Sequence, residues 1–156
     1  MNDPHLSRIY DFLHEIGLDV VETTITESTF LPGILIDHGT LNVSPLQLIS
    51  PGDVLHEAGH IAVTLPAERY LLHNNITHER PDKQGDELAV LLWTFAACHK
   101  LGLPYDVVFH PEGYNGQSQW LIDMFSNRNY VGLPLLVWMG MTAESSFPTM
   151  IYWLRQ

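Results

Sequence analysis

The chain has 156 residues, 46% of them hydrophobic and 10% aromatic. Those values exclude a disordered tail or linker and predict one globular domain spanning 1–156. A net charge of −11 with only seven Lys+Arg leaves no basic patch for nucleic acid and disfavours an anionic membrane surface.

In chain order, residues 4–16 read as a helix. Ile9, Phe12, Leu13 and Ile16 make its apolar stripe and Gly17 stops it. Residues 19–26 are β-branched and strand-like. Ile34-Leu35-Ile36 and Leu41-Asn42-Val43 flank the turn Asp37-His38-Gly39-Thr40, which predicts a hairpin. A helix follows at about 51–65, with Ser50 as N-cap, Pro51 at N1 and Asp53 completing a capping box. Val54, Ala58, Ile61 and Leu65 form its buried stripe, and Pro66 closes it. Gly59 inside that helix predicts close approach of another backbone, such as a strand. Residues 73–85 are polar and broken by Pro and Gly, hence a loop. A second strong helix covers about 86–101 and stops at Gly102. Residues 104–116 look irregular, helices are expected at about 117–126 and 134–140, and the tail from Phe147 to Gln156 reads as a strand or short helix. The expected class is α+β, a small antiparallel or mixed sheet packed with helices.

Cys98, the only cysteine, allows no internal disulfide and reads as a small core residue. The N-terminus carries no leader-like apolar segment, and the longest apolar run, Leu88 to Cys98, is too short to span a bilayer. A reducing, cytoplasmic setting and no membrane partner are therefore expected.

The stretch His56-Glu57-Ala58-Gly59-His60 spells H-E-x-x-H. On a helix, positions four apart lie about 6 Å apart along the axis and on one face. Two imidazoles at that offset can bind one metal ion, with Glu57 beside it to act on an activated water. The plainer reading of the same residues is an amphipathic helix with two half-exposed histidines. Catalytic zinc needs a third protein ligand and one open position. A histidine six residues after His60 is excluded, because Pro66 stands there. Of the acidic residues that follow, Glu68, Glu79, Asp82, Asp86 and Glu87, only the last two adjoin a strongly apolar helix. Glu87 is preferred as metal ligand, since Leu88, Leu91, Leu92 and Phe95 put it beside a buried face. Asp86 is better explained as an N-cap. His99 and His110 remain as alternatives. His110 and Tyr114, in the Gly-rich loop 110–116, are candidate donors to a developing oxyanion, or simply loop residues. Trp120, Trp138, Tyr152 and Trp153 are expected in the core.

A short sheet ending in a hairpin, then the His56–His60 motif on a helix, then an acidic residue at the head of a downstream helix resembles the zincin-like metallopeptidases, most of all the minimal single-domain glutamate-zincins. The resemblance covers about residues 33–100. It implies Zn²⁺ on His56 and His60, general acid/base work by Glu57 on a metal-activated water, and hydrolysis of peptide or protein substrates. A metal-binding protein of this fold without peptidase activity, serving as a regulatory or interaction module, is the competing expectation. A domain that binds no metal is a third.

Overall fold

Asp3 opens the first helix, α1 (Pro4–Ile16), by accepting hydrogen bonds from the N–H groups of His5 and Leu6, and left-handed Gly17 closes it. The computed structural model describes residues 3–74 and 86–156. Three strands follow: β1 (Val20–Glu22), β2 (Ile34–Asp37) and β3 (Thr40–Val43), in the order β1-β3-β2. β2 and β3 form the expected antiparallel hairpin, from Ile34 opposite Val43 to Asp37 opposite Thr40. β1 lies parallel to β3, so the sheet is mixed. The strand expected over 19–26 is cut to three residues. β3 ends at Val43 and turns into the 3₁₀ segment Pro45–Gln47, so after the bond from Thr23 N–H to the Val43 carbonyl no partner backbone continues. Ile34, Ile36, Leu41 and Val43 are buried on the face turned to the helices, as a period-two alternation requires.

Helix α2 (Gly52–Ala62) packs between that sheet and α3 (Glu87–Leu101), and every residue of α2 is buried. The capping expected at its start is absent. Ser50 donates its hydroxyl to the Val107 carbonyl, and Asp53 turns its carboxylate to His110. The helix stops at Ala62, short of 65, and a 3₁₀ segment Pro66–Leu71 follows. The C-terminal tail takes up the carbonyls that Pro66 leaves open at that end: Arg155 donates its N–H to the Ala62 carbonyl at 2.8 Å and its guanidinium to the Val63 carbonyl at 3.2 Å. Carbonyls at a helix end need such partners. The tail is neither strand nor helix but an irregular strap of turns and bends, held further by Trp93 Nε1, which donates to the Trp153 carbonyl at 2.9 Å. The Trp153 ring packs edge-on against Phe12 and Trp93.

In α3 the ten residues Ala89 to Cys98 are all buried, so the helix is apolar on every side and runs through the middle of the core. Cys98 lies there as expected. Gly59 faces α3 rather than a strand: a Cβ at that position would stand 3.0 Å from Val90 Cγ1 and 3.1 Å from Trp93 Cε3. The short helix α4 (Tyr105–Val108) crosses the start of α2, and α5 (Ser118–Ser126) and α6 (Leu133–Trp138) complete the helical layer. Of the loop expected over 73–85, only His73 and Asn74 are among the described residues. Among the described residues no helix is long and apolar enough to cross a membrane.

The crossing of α4 over α2 depends on Gly52. A Cβ there would lie 2.2 Å from the Val107 carbonyl oxygen and 2.5 Å from Val108 Cα, both backbone atoms that cannot turn aside. Gly52→Ala is expected to destabilise the fold by about 1–3 kcal/mol, the usual cost of overpacking. Urea unfolding of the two proteins would measure it, and an unchanged midpoint would show that the crossing yields freely.

Candidate metal centre

Helical spacing along α2 sets Asp53, His56, Glu57 and His60 on adjoining turns. His56, Glu57 and His60 form a buried cluster whose donor atoms lie within 4.8 Å of one another, a group that could hold a metal ion. The first residue of α3 meets them. His56 Nε2 stands 3.3 Å from Glu87 Oε1, and His60 Nε2 stands 3.2 Å from Glu87 Oε2. Two donors on a tetrahedral ion at ligand distances of about 2.1 Å stand roughly 3.4 Å apart. The histidine–carboxylate separations thus already suit a shared ion. The imidazoles hold the Glu87 carboxyl well below the usual carboxylate range, their hydrogen bonds and charge outweighing the partial burial that opposes them.

Glu57 has the opposite environment. It is 3% exposed, and its Oε1 has no hydrogen-bond partner among the described residues. Burial pushes its carboxyl up to about 7; His60 opposes the shift, and Glu87 and Asp53 add to it. Two glutamates beside the same imidazoles are thus driven apart in acidity.

The loop after α4 backs the cluster. Tyr114 and Asn115 both take left-handed backbone angles, φ 60° and 54°, which are costly for residues with a side chain. The resulting turn brings the Tyr114 hydroxyl 3.3 Å from His56 Nδ1, with the two rings edge to face. Burial, reinforced by Asp53, Glu87 and Glu57, raises the Tyr114 phenol well above its ordinary value, so it keeps its proton. His110 Nε2 lies 2.7 Å from Asp53 Oδ1, while His110 Nδ1 and Asp53 Oδ2 are buried without a partner. His110 therefore faces Asp53, while the Glu87 carboxylate lies within 3.3 Å of both motif histidines. His99 sits near the far end of α3, stacked on Phe95. Asp86 takes the N-cap position of α3, but its side chain bonds no helix N–H. Glu79 and Asp82 lie outside the described residues.

These groups line the floor of an open cleft of about 690 Å³. Its rim is apolar: Phe30, Ile49, Leu88, Trp120 and Val131 all line it and are all exposed. Its charged lining residues are Asp53, Glu57, Glu87 and Glu112, with no lysine or arginine among the described ones. Several expectations about apolar residues are corrected here. Trp120, Trp138 and Tyr152 are exposed rather than in the core, and only Trp153 is packed into it. Leu88 belongs to the cleft rim, not to the buried face of α3. The Asp53–His110 pair was missed because Asp53 has a ready explanation as a capping residue. Its place three residues before His56 and four before Glu57, on the same strip of helix, was the available signal.

Comparison of the chain with protein-family models, with curated proteins and with solved structures gave no match, so the chemistry of this centre carries the functional reading.

Proposed function

We propose that the protein is a single-domain, zincin-like zinc metallopeptidase in which His56, His60 and Glu87 hold the ion. The observation that carries the reading is Glu57: a buried carboxylate with an unpartnered oxygen, beside two imidazoles that share a second carboxylate, on the floor of an open cleft. Zinc bound there would supply Lewis-acid polarisation of a carbonyl and an acidified water.

The chain's own groups account for the rest. Glu57, with a carboxyl near neutrality, takes a proton from the attacking water and returns it to the leaving amine. Tyr114 supports His56 from behind: its oxygen accepts the Nδ1 proton, which leaves Nε2 free as the ligand atom. His110 lines the cleft beside this site, with its Nε2 2.7 Å from Asp53 Oδ1. The cleft volume and the exposed apolar rim suit a few residues of a peptide.

Purified protein is expected to carry about one zinc in this centre and to cleave members of a mixed peptide library. Chelation should stop cleavage and added zinc should restore it. Zinc retention with no cleavage of any library member would overturn the peptidase reading and leave a metal-binding module. Failure to bind zinc at all would overturn both.

A further inference from the structure

Among the described residues, one other group of histidine and carboxylate donors comes close enough together to share an ion. It lies outside the cleft, at the β2–β3 turn. Asp37, His38 and His73 are exposed, and one donor atom from each lies within 4.8 Å of the others. Asp37 Oδ1 stands 2.6 Å from His38 Nδ1 and 3.4 Å from His73 Nδ1. The two imidazole rings lie 5.7 Å apart between centroids. One carboxylate between two imidazole nitrogens is the same chemical motif as Glu87 between His56 and His60.

The backbone holds this group in place from two distant parts of the chain. Asp37 and His73 face each other across an isolated antiparallel bridge. The Gly39 N–H donates to the Leu72 carbonyl at 3.1 Å, and the Asn74 N–H donates to the Ile36 carbonyl at 2.7 Å. The backbones of Asp37 and His73 are thereby held side by side. His38 occupies a left-handed turn position, φ 51°, where Asn or Gly would serve the hairpin equally well.

We propose that Asp37, His38 and His73 form a second, surface metal site that binds a divalent transition-metal ion such as zinc and pins the 72–74 segment to the hairpin. Two imidazoles and one carboxylate select such an ion over calcium or magnesium, which prefer all-oxygen sites. Three exposed ligands leave the remaining positions to water, so this site binds more weakly than the buried one. The proposal does not depend on the peptidase reading.

Equilibrium dialysis of the metal-free full chain against zinc tests it, with three proteins compared. Wild type is expected to bind two equivalents, the second more weakly. His38→Asn/His73→Gln is expected to bind one, with peptidase activity unchanged; Asn accepts the left-handed turn, so the hairpin is kept. His56→Ala/His60→Ala is expected to retain the weaker equivalent. Histidine ring resonances in the wild type provide a measurement that needs no variant: those of His38 and His73 should move with the second equivalent. Loss of all zinc binding in His56→Ala/His60→Ala, an unchanged number of equivalents in His38→Asn/His73→Gln, or still resonances of His38 and His73 would each overturn the site.

Discussion

Glu57→Gln is expected to lower kcat by about 10²–10⁴-fold while zinc stays bound, the range associated with loss of a general acid/base. The same change is expected to stabilise the metal-free protein at neutral pH. Glu57 is buried with its carboxyl pushed up to about 7, against about 4.3 for an unfolded chain. Between those values the folded state holds a proton that the unfolded state has released. Stability therefore falls as pH rises through that window, and the loss is complete above about 7. Each tenfold difference in proton affinity between the two states is worth about 1.4 kcal/mol, so the penalty is on the order of 4 kcal/mol at most. Glutamine carries no charge and removes it. Urea unfolding of both metal-free proteins at pH 5 and pH 8 would read the difference, which should grow toward pH 8. It should shrink with zinc present, because a nearby cation favours the ionised carboxylate. Undiminished cleavage by Glu57→Gln would remove the residue from the chemistry. A stability difference independent of pH would show that its burial costs nothing.

Parts of the centre are legible in the sequence and parts are not. The i,i+4 spacing of His56 and His60 on a helix is local, and α2, α1 and α3 stand close to where their periodicity and terminal glycines place them. The errors fall where partners come from far along the chain. Ser50 and Asp53 read as caps because capping is the commonest use of such residues. Each instead meets a group near residue 110, Val107 for Ser50 and His110 for Asp53. The last carbonyls of α2 are met by Arg155, about ninety residues away, and the length of β1 depends on where β3 stops. Trp120 is amphipathic enough to sit in a core or on a cleft rim, and composition does not decide between them. The meeting of Glu87 with both imidazoles is likewise tertiary: periodicity along α3 placed Glu87 beside a buried face without saying which residues that face would touch.

Glu87→Ala is expected to abolish stoichiometric zinc binding at the buried centre, with activity partly restored by excess zinc. Glu57→Gln activity should not respond to zinc at all. The distinction follows from position. Both Glu87 oxygens are engaged by imidazole Nε2 atoms, so removing the carboxylate removes a donor and a negative charge from the ion's place. Tyr114→Phe, which removes only the support behind His56, should weaken zinc by about 10–100-fold, the range for outer-shell groups. Glu87→Ala should exceed it. Zinc retained after dialysis would rank the three proteins. An affinity for Glu87→Ala equal to wild type would move the third ligand elsewhere. Stability supplies an independent check of sign. The Glu87 carboxyl is held below its ordinary range, so in the metal-free fold it contributes stability that is present above the unfolded carboxylate value and lost as pH falls below it. Its side chain is 42% exposed, so solvent screens much of that contribution. At neutral pH, Glu87→Gln should therefore destabilise the metal-free protein modestly while Glu57→Gln stabilises it. Opposite signs from two glutamates around one pair of histidines would mark one as the charged ligand and the other as the proton carrier. Equal signs would dissolve the division of labour on which the proposed hydrolysis depends.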